Sequence, residues 1–175
     1  MIFLEQRRSN SDKELTLKNG NMNTNELLLK TAFCCMACDG EIATEEISVV
    51  RNLVKDSKLF DGLDVEEKLN GFVSQINQVG ISFLSNFLAE VEEANLTPTE
   101  QLEVVKIAIA TIEADKNIEY TEIKFFKKLR SRLSISDGKI EKAFPERDDM
   151  DTYLLPDMKD SEDLSWNVTF SNITL

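Results

Sequence analysis

Carboxylate side chains are concentrated in two short stretches of the sequence, and each stretch has the chemistry of a cation site. The first, residues 39–46, reads Asp-Gly-Glu-Ile-Ala-Thr-Glu-Glu, and the second, residues 115–122, reads Asp-Lys-Asn-Ile-Glu-Tyr-Thr-Glu. Neighbouring carboxylates repel one another unless a cation or a base lies among them, and divalent cations such as calcium prefer oxygen ligands. The candidate ligands are Asp39, Glu41, Glu46, Asp115, Glu119 and Glu122. They predict a weak divalent-cation site, and no other cofactor is expected.

A structural role explains the same residues without a ligand. Asp39 and Gly40 can end one helix, because glycine readily adopts the left-handed conformation found at helix C-termini. Glu46 then lies in the first turn of the next helix, where the helix dipole favours negative charge. A complete EF-hand calcium loop does not fit, since aligning Gly40 with the loop glycine places Cys35 and Ala37 at ligand positions. A looser cation site and a purely structural role both stay open.

The two acidic stretches align at one offset of 76 residues (115 − 39 = 76). Each stretch also follows an apolar segment with helical character. The matched pairs are Asp39 with Asp115, Ile42 with Ile118, Glu46 with Glu122, Ala32 with Ala108 and Leu53 with Leu129. The alignment predicts an internal duplication, in which each half consists of a helix, an acidic loop and a second helix.

This pattern resembles the TerB-like family, which is named for a bacterial tellurite-resistance protein. The hallmark of that family is Ala-x-Asp-Gly-x-Ile, followed by a helix with an early Glu and by a weaker second copy. The matching residues are Ala37, Asp39, Gly40, Ile42 and Glu46 in the first copy, and Ala114, Asp115, Ile118 and Glu122 in the second. The chain departs from the pattern at Lys116, which replaces the second glycine, and at Ala43 and Glu119, where a capping Ser or Thr is usual.

The resemblance implies an all-α module. No catalytic constellation is visible in the sequence, so an enzyme is not expected. The module's implied role is interaction or scaffolding in the response to tellurite, metal or oxidative stress, with protein partners near a membrane complex. The alternative function is the binding or sensing of a divalent metal ion through the acidic loops.

Composition and charge exclude several other functions. The chain carries a net charge of −12, so it is a poor ligand for phosphate backbones, and nucleic-acid binding is not expected. It contains no histidine, which excludes Ser-His-Asp and Cys-His catalysis and His-liganded zinc within this chain. The apolar start, residues 1–4, is too short for a signal peptide, and no segment resembles a membrane span. We therefore expect a cytoplasmic protein without direct membrane insertion.

Three cysteines, at positions 34, 35 and 38, fall on one predicted helix. Three thiols can bind a soft metal, but a fourth ligand is missing from the sequence. Cysteine is also among the most buried residue types. Core packing is therefore the favoured interpretation, and a thiol-dependent redox enzyme is a third, weaker hypothesis.

Apolar residues spaced three and four apart predict the elements that position these groups. The 42% hydrophobic content and the scarcity of Pro and Gly favour an all-α protein, a compact bundle built from two pseudo-repeated halves. The predicted helices span residues 25–38, 44–58, 64–79, 81–94, 98–114, 121–133 and 136–144.

The predicted domain is residues 22–144, between a flexible extension (1–21) and an acidic tail (145–175). Within the tail, Glu146 to Asp151 are expected to form a linker. Leu164, Trp166, Val168 and Phe170 then alternate with polar residues in the manner of a strand. We expect this segment to dock on the domain, to meet a partner or to stay loose.

Overall fold

The computed structural model describes residues 23–155, 170 and 173–175. Within these residues the chain forms eight α-helices and a 3-10 helix over Lys58–Phe60, and no strand. The all-α prediction of about seven helices is confirmed, and the predicted ends of the first seven lie within two residues of the observed ones. The helices are α1 (Thr24–Ala37), α2 (Thr44–Asp56), α3 (Val65–Val79), α4 (Ile81–Glu93), α5 (Pro98–Ile112), α6 (Tyr120–Ser131), α7 (Asp137–Ala143) and α8 (Asp151–Leu154).

Helices α1 and α5 form the centre of the bundle and pack against each other. Every residue of α1 from Leu27 to Ala37 is buried, because α2, α3, α4, α5 and α6 all contact this helix. A helix that is apolar on all sides needs such a covering, since it has no face to offer to water. The loops that follow α1 and α5 therefore leave from two neighbouring helices of the centre.

One lysine is enclosed in this centre. Lys30 of α1 is buried, and its ammonium group pairs with both carboxylate oxygens of Glu90 on α4 at 2.7 and 3.0 Å. The same ammonium lies 4.7 Å from the ring centre of Phe83. A buried charge is tolerated only when it is paired in this way, so the ion pair holds α4 in register on α1.

The two halves repeat each other in backbone detail as well as in helix order. Gly40 and Lys116, which are equivalent at the 76-residue offset, both have positive φ angles of 92° and 61°. The Asp39 carboxylate accepts a hydrogen bond from the Glu41 N–H at 3.0 Å, and the Asp115 carboxylate accepts one from the Asn117 N–H at 2.9 Å. The structure therefore contains the two pseudo-repeated helix-loop-helix halves that the sequence predicts.

The acidic stretch after Pro145 does not form the predicted linker. It leads into the one-turn helix α8, whose Tyr153 is fully buried and makes an edge-to-face contact with Phe126 at 5.2 Å. Arg147 pairs with Glu113 at 2.6 Å and with Asp149 at 2.6 Å, which offsets the local negative charge. The acidic stretch is therefore tied to the end of α5 by Arg147 and packs on the bundle.

Residues 1–21 and the strand-like alternation at 164–168 fall outside the described residues. Phe170 is half-buried and Ile173 is buried against the main core. None of the described helices combines the length and the apolar character that a membrane crossing requires.

Candidate functional site

Two glutamates close the paired loops, the name used here for residues 39–46 and 115–122. In the first loop the Glu46 carboxylate accepts a hydrogen bond from the backbone N–H of Ala43 at 2.7 Å, and in the second Glu122 accepts one from the N–H of Glu119 at 2.7 Å. Ala43 and Glu119, the N-cap residues of α2 and α6, make no capping hydrogen bond with their own side chains. Each glutamate therefore reaches back one turn to satisfy a backbone donor, which explains why a capping Ser or Thr is dispensable.

The carboxyl groups of Glu46 and Glu122 are buried together. Their exposed fractions are 4% and 3%, and each carboxyl lies close enough to the other to influence its pKa. Burial, followed by the charges of Glu122, Asp39 and Asp115, raises the pKa of Glu46 to about 8. Burial, followed by Asp115 and Asp39, raises the pKa of Glu122 to about 7. Because the pKa of both carboxyls is raised to neutral pH or above, the pair retains a proton near neutral pH.

Asp39 connects the two loops electrostatically. Burial is the main reason that its pKa is raised, and the nearby charges of Glu41 and Glu119 add to the effect. Glu119 belongs to the other loop, so the two loops lie side by side at one end of the bundle. The arrangement follows from the packing of α1 on α5, which end at this same face.

The structure brings the six predicted metal ligands into one region but does not arrange them as a metal centre. Within residues 23–155 and the described C-terminal positions, no three Asp, Glu or Cys side chains are grouped so that they could hold an ion. Oxygens of Asp39, Asp115, Glu46 and Glu122 already accept backbone N–H groups, while Glu41 is exposed. The cation hypothesis stays a prediction.

Two large apolar side chains protrude from the second loop. Ile118 is 45% exposed and Tyr120 is 58% exposed, and Glu119 stands between them. Ile42, the counterpart of Ile118, instead packs against the core. Neither Ile118 nor Tyr120 was predicted from the sequence as a functional candidate. The signal for them is two apolar residues inside an otherwise polar loop. Aromatic residues such as Tyr120 are enriched at the centres of protein interfaces.

The second loop is anchored from behind by the segment that was expected to be a linker. Glu113 ends α5 just before the loop, and its carboxylate accepts hydrogen bonds from the Arg147 guanidinium at 2.6 and 2.9 Å. The hydroxyl of Tyr153 donates to the same carboxylate at 2.6 Å. These charge-assisted bonds fix the direction in which the chain leaves α5, so they position the loop.

The three cysteines lie beneath the loops and are fully buried. Burial raises the pKa of Cys34, Cys35 and Cys38 above the ordinary thiol value. Since the thiolate is the reactive form, this environment disfavours nucleophilic or redox chemistry. The Cys38 thiol donates a hydrogen bond to the carbonyl of Cys35 at 3.3 Å, in keeping with the core-packing interpretation.

Comparison of the chain with protein-family models, with curated proteins and with solved structures found no significant match. The resemblance to the TerB-like family therefore stays a prediction from the motif.

Proposed function

We propose that this protein is a non-enzymatic interaction module that binds a basic segment of a partner protein on its loop face. The loop face consists of the two protruding apolar residues and the carboxylates around them: Ile118, Tyr120, Asp39, Glu41, Glu45, Asp115 and Glu119. The observation that carries the proposal is the exposure of Ile118 and Tyr120 among these acidic groups. A partner with matching Lys or Arg and one apolar anchor would cover both features.

Two properties of the loop face support this role. First, the loops are pre-formed, because Glu46 and Glu122 close them from inside and Glu113 fixes the second one. A pre-formed surface loses little conformational entropy on binding. Second, the whole chain is strongly acidic, at −12, so a basic partner is attracted at long range. The TerB-like resemblance implies that such binding serves a response to tellurite, metal or oxidative stress.

Site-specific photo-crosslinking tests the loop face directly. A benzoylphenylalanine placed at position 120 should capture a discrete partner in cells under tellurite or oxidative stress, and capture should weaken at high salt. The matched control places the crosslinker at Asn70, an exposed position on α3. The same products from both positions, or none from position 120, would contradict the proposal.

With the captured partner purified, the double substitution I118S/Y120S should weaken binding at least about tenfold, as loss of an interface anchor usually does. Val79→Ser removes a comparably exposed apolar residue away from the loop face and should leave the affinity unchanged. Equal losses in both variants would show that the effect is not specific to this surface.

A divalent cation is the second candidate ligand. The observation in its favour is electrostatic, because Asp39 and Asp115 both act on the buried Glu46–Glu122 pair. Titration with calcium, magnesium and manganese should then move the NMR signals of Asp39 and Asp115, and Glu122→Gln should abolish the shift. Signals that stay unmoved at millimolar metal would exclude this function.

A further inference from the structure

The amide side chain of Asn77, near the end of α3, pairs with both backbone groups of one residue in the C-terminal segment. Its Nδ2 donates to the carbonyl of Ile173 at 2.9 Å, and its Oδ1 accepts from the N–H of Ile173 at 2.9 Å. These are the two hydrogen bonds that a neighbouring strand would offer to an extended chain. Such contacts recognise a peptide backbone whatever its side chains are.

Apolar contacts supply the selectivity that backbone contacts lack. The Ile173 side chain is only 2% exposed and belongs to the main core. Phe170, three residues earlier, packs against the same core, and its ring comes within 3.9 Å of the position that a β-carbon on Gly80 would take. Gly80 has φ of 59° at the junction of α3 and α4, a conformation that glycine adopts without strain.

From these contacts we infer that the corner between α3 and α4 is a peptide-binding groove. Its ligand is an extended segment of a partner protein with an aromatic residue and, three positions later, a β-branched aliphatic residue. The protein's own C-terminal segment, with Phe170 and Ile173, occupies the groove in the free state. The partner's segment displaces it.

The groove recognises features that many peptide segments share. Each contact is either a backbone hydrogen bond or the burial of an apolar side chain, and a separate chain can supply both. The protein's own segment competes with any separate chain, since it is covalently linked to its site. A partner's segment therefore displaces residues 170–175 only if it binds the groove more tightly or is present at a high local concentration. The groove is distinct from the loop face and does not depend on the function proposed for it.

A fluorescent peptide with the sequence of residues 170–175 tests the groove on the full-length protein. Wild type should bind it weakly, because the groove is filled. Ile173→Asp weakens docking of the tail, since it places a charge where the core is apolar, and should raise the affinity for the peptide at least tenfold. Adding Asn77→Ala should remove this gain, whereas adding Gln78→Ala, its exposed neighbour, should not. A folded I173D protein that binds no better than wild type would overturn the inference.

Hydrogen exchange gives a second measurement that does not depend on I173D. In otherwise wild-type protein, Asn77→Ala should speed exchange of the Ile173 amide at least tenfold, and Gln78→Ala should leave it unchanged. Equal exchange in both variants would show that Asn77 does not hold the segment. Wild-type dimers that dissociate on addition of the peptide would place a second copy's C-terminus in the groove and overturn the assignment to a partner protein.

Discussion

Glu46→Gln should make this protein more stable than wild type at pH 8.5 and leave it about equally stable at pH 4.5. Glutamine keeps an oxygen to accept the Ala43 N–H. Its amide stays neutral at every pH, so the buried pair carries one negative charge fewer at pH 8.5. We expect the free energy of unfolding at pH 8.5 to rise by about 2 kcal/mol. One pKa unit corresponds to about 1.4 kcal/mol, and the pKa shift belongs partly to Glu122 and the other nearby carboxylates, which stay in place.

The sign follows from proton linkage. The pKa of Glu46 is about 8 in the folded protein against 4.5 ordinarily, so the folded state binds more protons than the unfolded state between these values. The stabilisation is complete below about pH 4.5 and is lost as the pH rises through about 8. Glu122 acts in the same direction, with a pKa of about 7. Wild type should therefore lose stability across this range, and Glu46→Gln should lose less.

Urea unfolding monitored by circular dichroism at a series of pH values, in the presence of EDTA, measures this difference. Glu100→Gln is the matched control, because Glu100 closes the exposed capping box of α5 on Thr97, and the Thr97 N–H lowers its pKa. Its effect on stability should stay constant between pH 5 and 8.5. A wild-type stability that is flat over this range, or a Glu46→Gln variant that is less stable at pH 8.5, would contradict a protonated pair.

The sequence predicted the position of Glu46 and Glu122 but not their environment. Helix starts are local features, and the 76-residue repeat gave both residues the same role at the start of a helix. Whether the two carboxyls meet depends on how α1 packs against α5, which involves residues far apart in the chain. The pattern therefore predicted a group of acidic residues, while the burial of Glu46 and Glu122 and their raised pKa values emerged only with the fold.

The tail and the loop face escaped prediction for related reasons. Arg147 offsets the acidic stretch by pairing with Glu113, which lies 34 residues earlier, so local charge alone suggested a linker. Ile118 matches Ile42 in the sequence repeat, yet only Ile42 packs against the core. A duplication specifies equivalent backbone positions, whereas burial depends on what covers each half. The two halves diverge at Ile118, which is why the exposed face belongs to the second loop.

Tyr153→Ala should cause a large loss of stability, because α8 is part of the folded domain. The ring is fully buried against Phe126, and its hydroxyl donates to Glu113 at 2.6 Å. Removing a buried aromatic side chain typically costs about 3–5 kcal/mol. Tyr153→Phe keeps the ring and loses the hydrogen bond, so it should cost about 1–2 kcal/mol, somewhat more than a neutral pair because the acceptor is a carboxylate. Chemical denaturation of the full-length protein measures both.

Tyr120→Ala is the matched control, since it removes the same side chain from an exposed position. Its effect on unfolding should be much smaller than that of Tyr153→Ala, because Tyr120 lies outside the core, whereas binding of the proposed partner should weaken. The opposite outcome, in which Tyr153→Ala is as mild as Tyr120→Ala, would mean that α8 does not belong to the domain.

Because Glu113 precedes the second loop directly, Tyr153→Phe should also shift the NMR signals of Asp115 and Asn117. Such shifts would connect the packing of Tyr153 to the conformation of the second loop.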